Sequence, residues 1–266
     1  MCRLLTATTS VPRSLAEIAG EAALGGCLAL AAQHRDGWGL SWLQDGVVRV
    51  AKAPRPADQD SELQRLLETV TSTGFLLHLR WATPGFGLSY ADTHPYVFDG
   101  RIALGHNGAL HAGTRLPQLV PPALAARREG STDSEAFFLQ VVAETEQHPL
   151  AEGLARAVEH VTDCCAPSSL NSVVLTPEQI AVVVAYDPGQ APPHPAPDGT
   201  TALDAEYYRV RCRTTDDAVV FASSGFPQPG WSEVSNGTIA TVPLGTSEVR
   251  QTPVTPPLRL PARAGE

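Results

Sequence analysis

Met1-Cys2-Arg3-Leu4-Leu5 opens the chain, and the cysteine directly behind the initiator methionine decides how the rest is read. Methionine is normally trimmed when the next residue is small, and cysteine qualifies. A chain beginning at Cys2 carries a thiol and a free α-amine on one residue. The α-amine has an unperturbed pKa of about 7.7–8.0 and can take the thiol proton directly or through a water. Cysteine is also the side chain most easily activated near neutral pH. Taken alone, Cys2 reads equally well as a small buried hydrophobe opening a strand, and so short a match is weak by itself. What decides between the two lies further along.

The 266 residues suffice for one large domain or two small ones, with enough apolar residues for a core. The formal charge of -9 and the absence of a clustered Lys/Arg stripe argue against a nucleic-acid surface. No apolar run reaches the roughly 18 residues that span a bilayer, and the start lacks the basic and long apolar regions of a signal peptide. Cys2, Cys27, Cys164, Cys165 and Cys212 are an odd, sparse set without CxxC spacing. That is neither a disulfide framework nor a zinc pattern, and it points to a reduced, cytoplasmic protein.

Outward from Cys2, Arg3 to Thr9 reads as a strand. Ser14 caps a helix expected to run to about Gln33, with Gly25-Gly26 as its weak point. Trp38 to Leu43 and Val47 to Ala51 form a hairpin around Gln44-Asp45-Gly46. Ser61 starts a short helix. Gly74 to Thr83 is a buried strand ending in polar chemistry at Arg80-Trp81-Ala82-Thr83, and Ile102 to Leu104 exits into His106-Asn107-Gly108. Thr132 with Glu135 is a capping-box pattern opening a helix to about Glu146. A second helix follows from Leu150, then a hairpin of Leu170 to Leu175 and Ile180 to Tyr186. Asp187 to Asp204 is a Pro-rich surface excursion. Tyr207 to Arg213, Val219 to Ser223 and Thr238 to Val242 are further strands. Strands, then helices, then strands suggest layered sheets flanked by helices rather than alternating βαβ units.

Four stretches carry chemistry in order: Cys2; Arg80-Trp81-Ala82-Thr83; His106-Asn107-Gly108; and Ser131-Thr132-Asp133-Ser134-Glu135. Cleaving an amide needs a nucleophile, a base, an oxyanion hole and an anchor for the substrate. Cys2 supplies the first two. The Asn107 side-chain amide and the Gly108 N–H suit an oxyanion hole, where one donor is worth about 10²–10³ in rate; an Asn-Gly pair equally marks a tight turn. Arg80 offers a planar fork for a carboxylate. Asp133 suits an ammonium group, or simply favours the helix start. His78, His94 and His106 lack HxH or HExxH spacing, so no metal is expected. Asp36 reads as holding a turn under the site.

This ordered set resembles the class II, N-terminal-nucleophile glutamine amidotransferases. Met1-Cys2-Arg3-Leu4-Leu5, His34-Arg35-Asp36-Gly37-Trp38-Gly39, Thr93-His94-Pro95-Tyr96 and Gly230-Trp231-Ser232-Glu233-Val234 are similar to its stand-alone branch, which includes YafJ-like and EgtC-like proteins. The resemblance implies an α+β, four-layer αββα sandwich over residues 2–250, with 251–266 as a Pro-rich mobile tail. It implies catalytic roles for Cys2, Asn107 and Gly108, and substrate binding by Arg80, Trp81, Thr83 and Asp133. It implies no cofactor. The activity expected is hydrolysis of a γ-glutamyl amide through a Cys2 thioester: glutamine or a conjugate such as the γ-glutamyl hercynylcysteine sulfoxide of ergothioneine synthesis. An ammonia-supplying subunit for a separate synthase and a non-catalytic binding module are the alternatives. Partners are then a small γ-glutamyl substrate and either a second copy or an acceptor subunit, with no nucleic acid or membrane. Two positions depart from the pattern. Pro84 stands where ammonia-feeding relatives often carry a histidine. Ser224-Gly225 stands where stand-alone relatives carry an acid and a proline.

Overall fold

The computed structural model describes residues 2–83, 85, 87–111, 118–195, 201–204 and 206–254. In chain order the elements are β1 (Arg3–Ser14), α1 (Leu15–Ala19), α2 (Glu21–Ala29), β2 (Gly37–Gln44), β3 (Val47–Ala53), α3 (Ser61–Thr69), β4 (Thr71–Arg80), β5 (Tyr96–Phe98), β6 (Ile102–Asn107), α4 (Pro122–Ala125), α5 (Asp133–Thr145), α6 (Leu150–Cys164), β7 (Asn171–Leu175) and β8 (Gln179–Val184). They continue as β9 (Pro193–Pro195), β10 (Thr201–Leu203), β11 (Val210–Thr214), β12 (Ala218–Ser223), β13 (Ser232–Glu233), β14 (Thr238–Pro243) and β15 (Arg250–Pro253).

Two antiparallel sheets form the centre. One has seven strands in the order β13-β11-β12-β1-β4-β2-β3, the other six in the order β15-β14-β8-β7-β6-β5. Strand alternation assigns the layers. On β1, Leu5 and Ala7 pack with Leu15, Ile18, Leu24 and Leu63 of α1 to α3. Leu4, the residue before Leu5 and so on the opposite face, packs with Leu76, Ala103, Val173 and Phe221 in the space between the sheets. Phe137, Val141, Leu154 and Val158 of α5 and α6 cover the other face of the six-stranded sheet at Leu104, Val174 and Val183. The stack is the expected αββα sandwich. With both faces of each sheet covered, central strands such as β4 and β8 read as continuous apolar runs rather than alternating ones.

The local differences have physical reasons. The first helix breaks at Gly20, whose φ of 77° is left-handed, and α2 runs straight through Gly25 and Gly26. Ser14 caps α1 with a full capping box to Glu17. Thr132 accepts from Glu135 N at 3.2 Å, but the Glu135 carboxylate turns away to Glu129 N and Gly130 N at 2.7 and 2.8 Å, so only half of that box forms. β1 continues past Pro12 to Ser14 through an irregularity between Thr8 and Arg13. Tyr207 and Tyr208 precede β11 rather than belonging to it. The boundary expected at residue 250 falls inside a strand: Arg250–Pro253 pairs with β14, and Val254 is buried. Residues 255–266 of the expected tail, Met1 and Pro84 lie outside the described residues.

Candidate active site

Three strand ends and one helix start converge at one edge of the inter-sheet layer. Cys2 immediately precedes β1. Arg80 is the last residue of its neighbour β4, Asn107 the last of β6 in the facing sheet, and Asp133 the first of α5. A cavity of about 30 Å³ opens between them, lined by Cys2, Arg80, Trp81, Thr83, His94 and Asp133, among others. A larger cleft, about 710 Å³, lies toward the other end of α5, around Phe98, Val142, Glu146 and Glu178, and shares none of these lining residues, so size is a poor guide to the chemistry here.

Asn107 joins the two sheets at the nucleophile. Its Oδ1 accepts from the Cys2 backbone nitrogen at 2.9 Å. Its Nδ2 is buried with no partner among the described residues. An unpartnered buried donor costs about 1–3 kcal/mol, so its persistence points to a charge that arrives later. Asn171, directly opposite on β7, is satisfied at both ends: Nδ2 donates to Tyr208 O at 2.6 Å and Oδ1 accepts from Ala185 N at 2.9 Å. Gly108 follows Asn107 and lines the cavity. A Cβ there would overlap the Ser169 carbonyl and sit 2.9 Å from His106 Nε2, so the close approach of two chains requires glycine.

Cys2 is 7% exposed. Burial pushes its thiol pKa up, opposed by the positive chain terminus, then by the hydrogen bond to the Trp81 carbonyl and by Arg80. The group is therefore a thiol at neutral pH and needs a base to become a nucleophile. Its Sγ lies 3.8 Å from Trp81 O. Beneath it, Tyr207 OH donates to Cys2 O at 3.4 Å, and the Arg3 guanidinium lies 3.7 Å from the Tyr207 ring centroid.

Arg80 is buried and has no carboxylate partner among the described residues. It donates only to carbonyls, Gly87 O at 2.9 Å and Asp36 O at 3.4 Å. A buried guanidinium paired only with neutral acceptors is a site prepared for an anion. Asp36 holds the segment that follows, accepting from Ala82 N at 2.8 Å. Trp81 and Thr83 thus keep their places on the rim, Trp81 40% exposed with its ring edge-on to His34 at 5.7 Å. Asp133 is buried on the opposite wall. Its Oδ2 accepts from Leu110 N and its Oδ1 from Ser134 N, at 2.7 and 2.8 Å, leaving lone pairs for a cation.

Residues to which the sequence assigned no catalytic or binding role also line it: Ala82, His106, Thr132 and Ser134 from the expected stretches, and His94 from outside them. His106 donates from Nε2 to Ser169 O at 3.0 Å, because a carbonyl only accepts; its Nδ1 therefore accepts from Ser134 Oγ at 2.8 Å. The rings of His78 and His94 stack at 4.3 Å, and burial drives all three imidazoles below the usual histidine pKa, His78 to about 3. Ser224 and Gly225 do not line the cavity: Ser224 Oγ donates to Glu206 O and Tyr207 O, and Gly225 packs on Arg3. Their departure from the pattern is absorbed by packing.

Comparisons with known proteins identify the family and the fold. The family model for class-II glutamine amidotransferases matches residues 1–256. The uncharacterized protein MJ1515 of Methanocaldococcus jannaschii is 26% identical over 221 residues, 77% of this chain and 60% of its own length. The putative glutamine amidotransferase YafJ of Escherichia coli is 28% identical over 165 residues, 59% of this chain and 61% of its own. The chain thus spans about three-fifths of these relatives. A glutamine aminotransferase class-II domain protein from Silicibacter pomeroyi shares the fold with a TM-score of 0.66 at 18% identity, covering 96% of this chain and all of that one. Glutamine phosphoribosylpyrophosphate amidotransferase from Bacillus subtilis does so with a TM-score of 0.61 at 16% identity, covering 97% of this chain and 50% of that one.

Proposed function

The chain belongs to the class-II glutamine amidotransferases, and from that premise we propose that it hydrolyses a γ-glutamyl amide through a thioester on Cys2. Removal of Met1 frees the Cys2 α-amine. The amine takes the thiol proton, and the sulfur attacks the γ-carbonyl carbon. The resulting oxyanion is held by Asn107 Nδ2 and the Gly108 N–H. Collapse expels the amine, which leaves with the proton carried by the α-ammonium. The same α-amine then activates a water, which releases glutamate from the thioester. Arg80 receives the substrate α-carboxylate, Asp133 the α-ammonium, and Trp81 and Thr83 border the acyl chain.

The observation that carries this reading is Asn107: one end of its amide fixes the Cys2 nitrogen, while the other is a buried donor without a partner. The half-exposed Trp81 leaves the rim of the pocket open to solvent, which supports a conjugate larger than glutamine as well as glutamine itself. A reducing compartment follows from a mechanism that needs a free thiol.

The test is glutamate release by purified protein, its loss of Met1 verified by mass. The panel is glutamine, a γ-glutamyl anilide, γ-glutamylcysteine and γ-glutamyl hercynylcysteine sulfoxide, each repeated with Cys2→Ala. Turnover on at least one member, abolished in the variant, is expected; full activity in Cys2→Ala would sink the mechanism. The best substrate identifies the physiological donor class.

A further inference from the structure

Resting on the γ-glutamyl reading of this cavity, we propose that His94 is a substrate-contacting residue whose ring N–H donates to the α-carboxylate that Arg80 pairs with. His94 is 4% exposed, and neither ring nitrogen has a partner among the described residues. The other buried histidines each have at least one: His34 Nδ1 with Leu30 O, His78 Nε2 with His106 O, and His106 at both nitrogens. An imidazole always presents a donor, and when neutral an acceptor too.

The ring's placement says where those groups point. One face stacks on His78 at 4.3 Å, and Tyr96 tilts against it at 4.5 Å. The faces are covered, so only the edge, where the nitrogens sit, can meet the cavity that His94 lines together with Cys2, Arg80 and Thr132. Lys52 fixes the segment, donating to Thr93 O at 2.6 Å and to Pro95 O at 3.4 Å on either side of His94.

The surrounding charge says what the partner is. Besides burial, the groups acting on His94 are, in order of size, His78, His106, Arg80 and Lys52; Lys52 already faces Glu129, Glu135 and Asp92. Arg80 itself has only carbonyl partners. An orphaned donor beside an unpaired guanidinium is complemented by an anion. A γ-glutamyl amide carries one anionic group, its α-carboxylate. With Asp133 on the opposite wall, the two ends of the amino acid are then told apart by sign.

The test compares His94→Phe, which keeps the stack on His78 and removes both nitrogens, with His94→Gln, which keeps a donor. On the best γ-glutamyl substrate, KM rises about 10–100-fold in His94→Phe, the range for losing a hydrogen bond to a charged group, while kcat stays within about threefold. His94→Gln recovers part of the loss. With 4-aminobutanamide, which lacks the carboxylate, wild type and His94→Phe behave alike. An unchanged KM in folded His94→Phe, or an equal loss on both substrates, overturns the proposal and makes a trapped water the partner. Should His94→Phe fail to melt cooperatively, imidazole ¹⁵N spectra of the wild type with L-glutamate decide: His94 resonances shift on saturation, and their constancy overturns the assignment. If wild type neither turns over a γ-glutamyl amide nor binds L-glutamate, the γ-glutamyl reading falls and takes this one with it. If wild type turns over and the variant matches it, only the role of His94 falls.

Discussion

Asn107 and Asn171 face each other across β6 and β7, and truncating each to alanine should produce opposite phenotypes. Asn171 is fully bonded. Its loss strands the Ala185 N–H and the Tyr208 carbonyl in the interior, at about 1–3 kcal/mol each. At about 2–4 °C per kcal/mol for a domain of this size, melting should fall by on the order of 10 °C. Asn171 is bonded to Tyr208 O and Ala185 N and, unlike Asn107, makes no hydrogen bond to Cys2, so kcat of the folded variant should stay within a few-fold. Asn107→Ala loses the acceptor for Cys2 N, about 0.5–1.5 kcal/mol, but also removes a donor that is already unpartnered and costly by a similar or larger amount. Its melting temperature should therefore barely move. Its kcat should fall about 10²–10³-fold, the effect of deleting one oxyanion donor, with KM little changed. The assay is steady-state glutamate release at saturating substrate, set beside thermal melting of the same samples. If Asn107→Ala melts as low as Asn171→Ala, or keeps more than a tenth of wild-type kcat, the unpartnered Nδ2 is not a catalytic donor and the oxyanion hole must be sought elsewhere.

Two further perturbations test other parts of the site. The buried histidines predict acid lability. An unfolded histidine binds a proton below about 6.5, whereas folded His78 resists until about 3. The unfolded state thus binds more protons in this window, and stability is lost as pH falls through it. At pH 5 His78 alone accounts for about 2 kcal/mol, and His94 and His106 act in the same direction. Melting temperature should drop clearly between pH 7 and 5, with a shallower slope in His78→Phe; a flat profile would contradict the burial argument. Gly108→Ala drives a methyl group into the Ser169 carbonyl, so the backbone carrying the second oxyanion donor must shift. A displacement near 1 Å costs about 10²-fold in rate, and wild-type kcat/KM in this variant would show that the strand end is looser than its packing indicates.

What was legible in the sequence follows from where the information sits. Cys2, Arg80, Asn107 and Asp133 are all element boundaries, and boundaries are where polar residues interrupt an apolar run. Gly74 to Leu79 ending at Arg80, and Ile102 to Leu104 exiting into His106-Asn107-Gly108, announce themselves because a buried strand has no other reason to end in such groups. The hairpin of β2 and β3 and the Thr132 cap are local in the same way, needing only neighbours within a few residues. The misses are long-range. Nothing near Gly20 marks it, rather than Gly25-Gly26, as the break, because the choice depends on how α1 packs onto β1 and α2 packs back onto α1. Glu135 follows the capping-box pattern, yet its carboxylate is taken by the Glu129 and Gly130 amides, a preference set by the path of the preceding chain. β15 looks like a tail because prolines surround it, and it is a strand only because β14 offers an open edge. His94 is the clearest case. Within its own stretch it is one residue of a Thr-His-Pro-Tyr turn. Its significance comes from His78 and Tyr96 packing against its ring, from Lys52 pinning the chain on both sides, and from ring nitrogens that find no hydrogen-bond partner among the described residues. A missing partner is a property of the assembled site, so no pattern of residues along the chain can encode it directly.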